Sequence, residues 1–455
     1  MRPWTGDRVA AVLGAGAPRP EMSFARVWTD TRTLAPGDLF VALRGDRFDG
    51  HTFLVAARAA GATGAVVERG TPPVDGLVLF PVDHTLRALG RLARARRDEI
   101  SGPVVAVTGT NGKTATKELL ARALATRWTV HATHANLNNE VGVPLTLLTA
   151  PGGTDALVVE AGTSVPGEIA RLREIIAPGI GVVTNVSAGH LEGFGSLEGV
   201  LAEKARLLDG VPIAVVGTEP PALADRARAL ADDVLVAGLA PPADVRPDAW
   251  HLAPGGTGVF VFRGHEIHLP LIGRHQVENA MLACAVAEAL KLDLAAVAAG
   301  LERVTLPGGR GEVLHAGGLT VLNDTYNANP ESFRAALETA ALMRGDRPLV
   351  ILVGTMLELG PASEREHGRL ADAIVAAEPA LIGAVGAFVP ALERRRDVLG
   401  NRLVTADDPD ALGRTVAARL GGDELVLLKA SRGVRLERAL PHLLPEREAP
   451  CSSTS

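Results

Sequence analysis

The hydrophobic pattern changes period along the chain, and those changes divide it into parts. Through the last third, short apolar runs alternate with amphipathic stretches, predicting strands at 320–322, 349–353, 381–385 and 425–428 with helices at 331–343 and 365–377. Such regular alternation predicts a doubly wound parallel sheet. Near the N-terminus the units are smaller: a strand at 39–43, a helix at 52–60, a strand at 65–67 and a helix at 84–97, after which Ser101, Gly102 and Pro103 read as a hinge. Between these parts, β-branched apolar runs at 104–108, 156–159 and 180–184 predict buried strands, and periodic runs at 118–124, 197–208 and 280–290 predict helices. Residues 306–312, rich in glycine, read as a linker. The expected fold class is α/β in three domains. These are a small N-terminal α/β domain at 1–98, a central domain with a mainly parallel sheet at 99–306, and a C-terminal Rossmann-like domain at 307–445. The polar tail at 446–455 is expected to be disordered.

The polar residues that interrupt this pattern fall where predicted strands end. Gly109, Thr110, Asn111, Gly112, Lys113 and Thr114 stand between a buried strand and a helix. Glycines there let backbone N–H groups turn inward around an anion, the helix N-terminus adds partial positive charge, Lys113 reaches outer phosphates and the Thr114 hydroxyl suits Mg²⁺. Val107 stands where the longer form of this loop would need glycine, so the motif is a shortened one. Downstream, an amide-rich turn segment holds Asn136 and Asn139, and the strand at 156–159 delivers Glu160 to the edge where ligands bind in open α/β sheets. His190 follows the next strand, and Lys204 lies on the helix after it. His275 and Asn279 open an apolar helix, and Arg310 sits in the linker. In the C-terminal part, Asp324, Tyr326, Asn327 and Asn329, then Glu358, then Lys429, Ser431 and Arg432, each follow a strand. Taken singly, Glu160 also reads as a surface acid, His190 as a structural hydrogen-bonder, Lys204 as a solvated charge, and the knot at Thr29–Arg32 as a solvated turn.

Composition narrows the classes. A chain of 455 residues is too long for one core. With 47% apolar and 22% charged residues it reads as an ordinary globular protein, and a net charge of −6 leaves no basic footprint for nucleic acid or an anionic membrane. No apolar run is long enough for a membrane-spanning helix, Cys284 and Cys451 are the only cysteines, and Cys284 falls in an apolar helical pattern. A reducing, cytoplasmic location and a monomer are expected. Lysine occurs only at 113, 117, 204, 291 and 429 among 46 basic residues, so a lysine that persists is a candidate for chemistry that needs an amine.

Together the runs TGTNGKT, NLNNEVGVP, PGEI, AGHLEGFGS, GRHQVEN, NDTYNANPESF, MLELG and KASRG resemble, in order, the motifs of the Mur ligase family, the ATP-dependent amide-forming enzymes of peptidoglycan precursor synthesis. The combination is most similar to the members that join D-alanyl-D-alanine to UDP-N-acetylmuramoyl-tripeptide. That resemblance implies an N-terminal domain for the UDP-sugar end, a central ATPase and a C-terminal domain that closes over the site. It implies that a substrate carboxylate attacks the γ-phosphate of ATP and that an amine then displaces phosphate from the acyl phosphate. By the same resemblance, Lys113 and the loop amides hold the β- and γ-phosphates, Thr114 and Glu160 hold Mg²⁺, His190 lies near a second metal and Lys204 carries a carbamate. His275 and Asn279 face the adenine and ribose, Arg310 bridges nucleotide and C-terminal domain, and Asp324, Tyr326 and Asn327 border the ribose and phosphates. Asn329, Glu358, Lys429, Ser431 and Arg432 lie near the acceptor cleft, and Thr31 and Arg32 serve the uridine or its diphosphate.

Several positions depart from the family pattern: Thr31 where serine is usual, Ala161 after Glu160, Gln276 in place of asparagine after His275, and Ala430 in place of glycine. None removes a group that the chemistry requires. Two rivals stay open on the residues: another member of the superfamily, such as a tripeptide-forming ligase or a folylpolyglutamate synthase, and a protein that binds ATP without ligating.

Overall fold

The computed structural model describes residues 1–45, 48–187 and 191–444. Its centre is a six-stranded sheet, wholly parallel, in the spatial order 130–132, 156–160, 104–108, 180–183, 213–217 and 233–237. The strand Val104–Thr108 lies inside it with every residue buried. Its side chains alternate between two cores. Val105 and Val107 pack with the helices Lys113–Leu124 and Arg274–Ala289, whereas Val104 and Ala106 pack with the helices Thr85–Arg97, Gly142–Leu148 and Glu168–Ile176. A continuous β-branched run results because a parallel strand covered on both faces has no solvent side to mark with polar residues.

The second of these cores does not stop at the central sheet. It runs without interruption from Trp4, Leu39 and Phe80 to Val104, Leu157 and Leu207, so the four-stranded N-terminal sheet shares its apolar interior with the central one. The segment read as a hinge is correspondingly fixed. The Gly102 amide donates to the Asp155 carbonyl at 3.1 Å, and the Arg97 guanidinium donates to the carbonyls of Ile176 and Ala177 at 2.8 and 2.6 Å. Glycine at 102 answers to crowding, since a Cβ there would lie 2.3 Å from the Asp155 oxygen.

The C-terminal part forms a second six-stranded sheet in the order 312–316, 319–324, 425–429, 349–353, 381–384 and 403–405. Five strands are parallel and the edge strand Glu312–Ala316 is antiparallel, the doubly wound pattern that the alternation predicts. Its two cores draw every buried apolar residue from positions 314–444, and from outside only the partly buried Ile272 packs against them. The predicted helices at 331–343 and 365–377 are Pro330–Arg344 and Ser363–Ala376, and the predicted helix at 280–290 begins earlier, at Arg274.

Several elements lie outside the expectations, among them the strands 130–132, 213–217 and 233–237 of the central sheet and one further sheet. Residues 249–272 form a three-stranded antiparallel sheet, Ala249–Leu252, Thr257–Phe262 and His265–Ile272, packed on the central core through Phe260, Phe262 and Leu269. Its signal is the strict alternation of buried Ile267, Leu269 and Leu271 with outward-facing neighbours.

In the C-terminal core, Phe333 is fully buried with its ring centroid 5.2 Å from that of Phe388. Phe333→Ala is expected to cost about 3–5 kcal/mol, read as a lower urea midpoint with the secondary-structure signal of the native state unchanged.

Candidate active site

The phosphate-loop geometry follows from what surrounds it. Gly109 has φ of +148° and a Cβ there would lie 1.8 Å from Thr184 Oγ1; Gly112 has φ of +78° and a Cβ would lie 2.3 Å from Asn279 Oδ1. Both positions exclude a side chain by conformation and by space. The loop leads into the helix Lys113–Leu124, whose N-terminus opens on a cleft of about 570 Å³ between the central and C-terminal sheets. A positive helix end at such a cleft suits an anion.

The residues gathered there are mostly the expected ones. Thr114 Oγ1 donates to Glu160 Oε2 at 2.8 Å, and Asn138 Nδ2 donates to Glu160 Oε1 at 2.9 Å. The Glu160 amide donates to Thr133 Oγ1 at 2.9 Å, and that residue's carbonyl accepts from the buried Lys117 ammonium at 2.8 Å. Lys113 Nζ donates to the carbonyls of Gly109 and Thr110 at 2.9 and 3.1 Å. Burial lowers its pKa and Arg310 adds to this, while Glu160 and Glu358 act against it. Lys204 is 1% exposed, and its ammonium makes no hydrogen bond with the described residues. Burial, reinforced by the Lys113 charge, holds its pKa well below the usual lysine value; Glu203 opposes this, although that carboxylate already accepts the amides of Gly167 and Ile169 at 2.8 and 2.9 Å.

Asn279 reaches the loop from the side, accepting from Thr116 Oγ1 at 3.4 Å and donating to Gln276 Oε1 at 3.1 Å, so the glutamine that departs from the family pattern holds the asparagine in place. His275 lines the same cleft, and burial lowers its pKa.

The C-terminal sheet faces the loop with its own strand ends. Asp324 and Lys429 are register partners on adjacent parallel strands, and Lys429 Nζ donates to Asp324 Oδ2 at 2.6 Å and to the Asn327 carbonyl at 2.8 Å. Tyr326, the only tyrosine in the chain, has the Arg310 guanidinium 3.6 Å from its ring centroid and the Arg432 guanidinium 5.6 Å away. Arg310 Nε is a buried donor with no partner among the described residues. Glu358 adopts a left-handed backbone, φ +65°, a strain that sites tolerate where other contacts enforce it.

Other candidates stand elsewhere. Asn136 is exposed and Asn139 accepts the amides of Val141 and Gly142 at 3.2 and 2.8 Å, starting the helix Gly142–Leu148. Neither lines the cleft; Asn138, between them, does. Ser431 Oγ donates to the Ala328 carbonyl at 3.2 Å and accepts from the Leu357 amide at 2.9 Å, so its hydroxyl ties two loops together. Asn329 is bonded to the phosphate loop, donating from Nδ2 to Asn111 Oδ1 at 2.7 Å. Thr31 and Arg32 lie outside the cleft on the N-terminal part, where Arg32 is exposed and donates to Asp30 at 2.6 Å. His190 and the tail from 445 onward lie outside the described residues. Cys284 is buried in the central core, and burial pushes its thiol pKa up.

Comparison with known proteins decides the family. Residues 24–97 match the catalytic domain of the Mur ligase family, 107–287 the Mur ligase middle domain and 309–432 the Mur ligase glutamate ligase domain. A UDP-N-acetylmuramoyl-tripeptide–D-alanyl-D-alanine ligase of Bacillus subtilis (strain 168) is 33% identical over 438 residues, covering 94% of each chain. The chain belongs to the Mur ligase family. Among solved structures, MurF from Acinetobacter baumannii superposes with a TM-score of 0.88 at 29% identity, over 98% of this chain and 100% of that one. MurF ligase from Thermotoga maritima in complex with ADP superposes at 0.81 with 30% identity, over 92% of this chain and 97% of that one. Among the described residues, no helix is long and apolar enough to cross a membrane.

Gly112→Ala forces a left-handed alanine against Asn279. It is expected to weaken ADP binding at least tenfold, roughly 1.4 kcal/mol or more, measured by titration calorimetry on protein whose thermal midpoint matches the parent.

Proposed function

We infer that this Mur ligase joins D-alanyl-D-alanine to UDP-N-acetylmuramoyl-tripeptide at the expense of ATP, in the cytoplasm. The observation that carries the reading is the cleft itself, where a phosphate loop and the strand ends of a second sheet face each other with cations on both sides. In the first step a carboxylate oxygen of the tripeptide bonds to the γ-phosphorus as the β,γ-bridging P–O bond breaks, releasing ADP. In the second, the neutral amine of D-alanyl-D-alanine attacks the acyl carbon. The C–O bond to phosphate then breaks, and the amine's surplus proton leaves to solvent or a base. Both steps bring anions together, so the protein acts chiefly by position and charge.

The residues divide accordingly. Lys113 and the amides of the loop hold the outer phosphates, exchanging the Gly109 and Thr110 carbonyls for phosphate oxygens. Arg310, with its unpaired Nε donor, meets the transferred phosphoryl group, and Tyr326 fixes the guanidinium plane by stacking. Asn279 and His275 border the base and ribose. Lys429 is held by Asp324, with Arg432 beside it, on the face where the acceptor enters.

The donor set also fits Mg²⁺. Thr114 Oγ1 and Glu160 offer hard oxygens 2.8 Å apart. Among the described residues no group of three or more His, Cys, Asp or Glu could hold a metal ion; Mg²⁺ is an ion that takes few protein ligands and keeps water and phosphate in its shell. When bound, the ion neutralises phosphate charge; Asn138 keeps the other Glu160 oxygen in place. Lys204 has the setting for a carbamate: a buried amine without a hydrogen-bond partner among the described residues. The neutral amine adds to CO₂ and gives up one proton to solvent or a base, which turns an uncharged group into an anion facing the Lys113 charge.

With UDP-sugar tripeptide and ATP present, D-alanyl-D-alanine is expected to stimulate ADP release well above diaminopimelate, glutamate or folate substrates. Faster turnover with one of those would reassign the acceptor, and turnover indifferent to all of them would support a non-ligating ATP-binding protein. Lys204→Ala is expected to lower turnover at least a hundredfold, on the scale of losing a charged group at a reacting centre. Added bicarbonate should stimulate the parent and leave the variant unchanged.

A further inference from the structure

Among the described residues the cores of the C-terminal sheet take only the partly buried Ile272 from the rest of the chain, so polar contacts across the cleft carry much of its placement relative to the phosphate loop. One residue stands at the centre of those contacts. The backbone of Asn111 belongs to the central sheet: its amide donates to Asn185 Oδ1 at 3.0 Å, and its carbonyl accepts from Thr184 Oγ1 at 2.5 Å and from Asn185 Nδ2 at 3.3 Å. Its side chain belongs to the other side. Oδ1 accepts from Asn329 Nδ2 and Nδ2 donates to Glu331 Oε2, both at 2.7 Å, with a longer contact from Nδ2 to Ser187 Oγ at 3.4 Å.

The two partners are themselves fixed. Asn329 caps the helix Pro330–Arg344, its Oδ1 accepting the Ser332 amide at 2.9 Å, which aims its Nδ2 outward at the loop. Glu331 lies in the first turn of that helix, where a carboxylate is favoured by the helix dipole. This helix follows the strand Leu319–Asp324, whose last residue holds the Lys429 ammonium.

We propose that Asn111 is a positioning residue: its side-chain amide docks the C-terminal sheet onto the phosphate loop and so sets where Lys429, Tyr326 and Arg310 stand relative to the transferred phosphate. The consequence for catalysis rests on the ligase reading above; the docking does not. The contact has a polarity that can be reversed. An asparagine side chain offers one acceptor and one NH₂ group, here matched to an amide donor at 329 and a carboxylate at 331. Asn329→Asp keeps a good helix cap but leaves Asn111 between two carboxylates with a single NH₂ group. Adding Glu331→Gln restores the match, since the Asn111 amide turned by 180° donates to the new carboxylate and accepts from the new amide.

The test uses the full-length protein with N329D, E331Q and N329D/E331Q, each alone and combined with N111A. Two quantities are measured: acceptor-dependent phosphate release, and hydrogen–deuterium exchange of residues 109–112 with ADP bound. N329D is expected to slow release about tenfold or more and to speed loop exchange, and N329D/E331Q to return both to within about threefold of the parent. In the N111A background, E331Q should no longer rescue N329D. A double variant no better than N329D would show that Asn111 does not read the polarity of its two partners, and equal rescue with and without Asn111 would mean that net charge alone is at work; either result would overturn the proposal. A parent without acceptor-dependent release would defeat the ligase reading instead, while the exchange measurement would still decide the docking.

Discussion

Taking an ammonium group out of water is costly, and this chain does so repeatedly around one cleft. Lys204 and Lys429 are buried and Lys113 is half-buried beside Arg310; Lys429 is paired with Asp324, Lys113 is held by the Gly109 and Thr110 carbonyls, and burial lowers the pKa of Lys204. Glu160 is shared with Thr114 and Asn138, and Glu203 is spent on the amides of Gly167 and Ile169. Keeping these basic groups apart, with Lys113 and Lys429 each on its own partners, is the constraint that the surrounding fold serves. It requires a rigid sheet edge that holds Lys113 and Lys429 against those partners.

Much of this was legible because parallel strands bring their C-terminal ends to one edge. The polar runs after 108, 160, 324, 353 and 429 stand together for that reason, and the register of Asp324 with Lys429 and of Glu160 with Val107 makes the arrangement concrete. What was not legible has equally physical reasons. In the amide-rich run no periodicity says which asparagine faces inward: the sequence offers Asn136 and Asn139, and the one that lines the cleft is Asn138 between them. Gly102 reads the same whether it bends or packs; only the Asp155 carbonyl beside it distinguishes the two. The bond between Asn111 and Asn329 joins residues 218 positions apart, and nothing local in either motif announces it.

Two sides of the cleft are built on different principles. On one, glycines at 109 and 112 and a buried strand fix the loop by sterics. On the other, Ser431, Asp324 and the Asn329 cap fix the loops by hydrogen bonds among short side chains. A close-packed apolar interior holds one geometry, whereas a polar contact surface can part and re-form with water in its place.

The apolar interior shared by the N-terminal and central sheets bears on how the protein is made. The shared core that begins at Trp4 is completed only by residues near Leu207, so on the ribosome roughly the first two hundred residues must emerge before that core can close. The C-terminal sheet waits on its own last strand, since Leu425–Lys429 lies inside it between 319–324 and 349–353, but among the described residues its cores take nothing from the chain before it other than the packing of Ile272. The nascent first half, with apolar faces waiting for residues up to Leu207, is thus a stage exposed to aggregation.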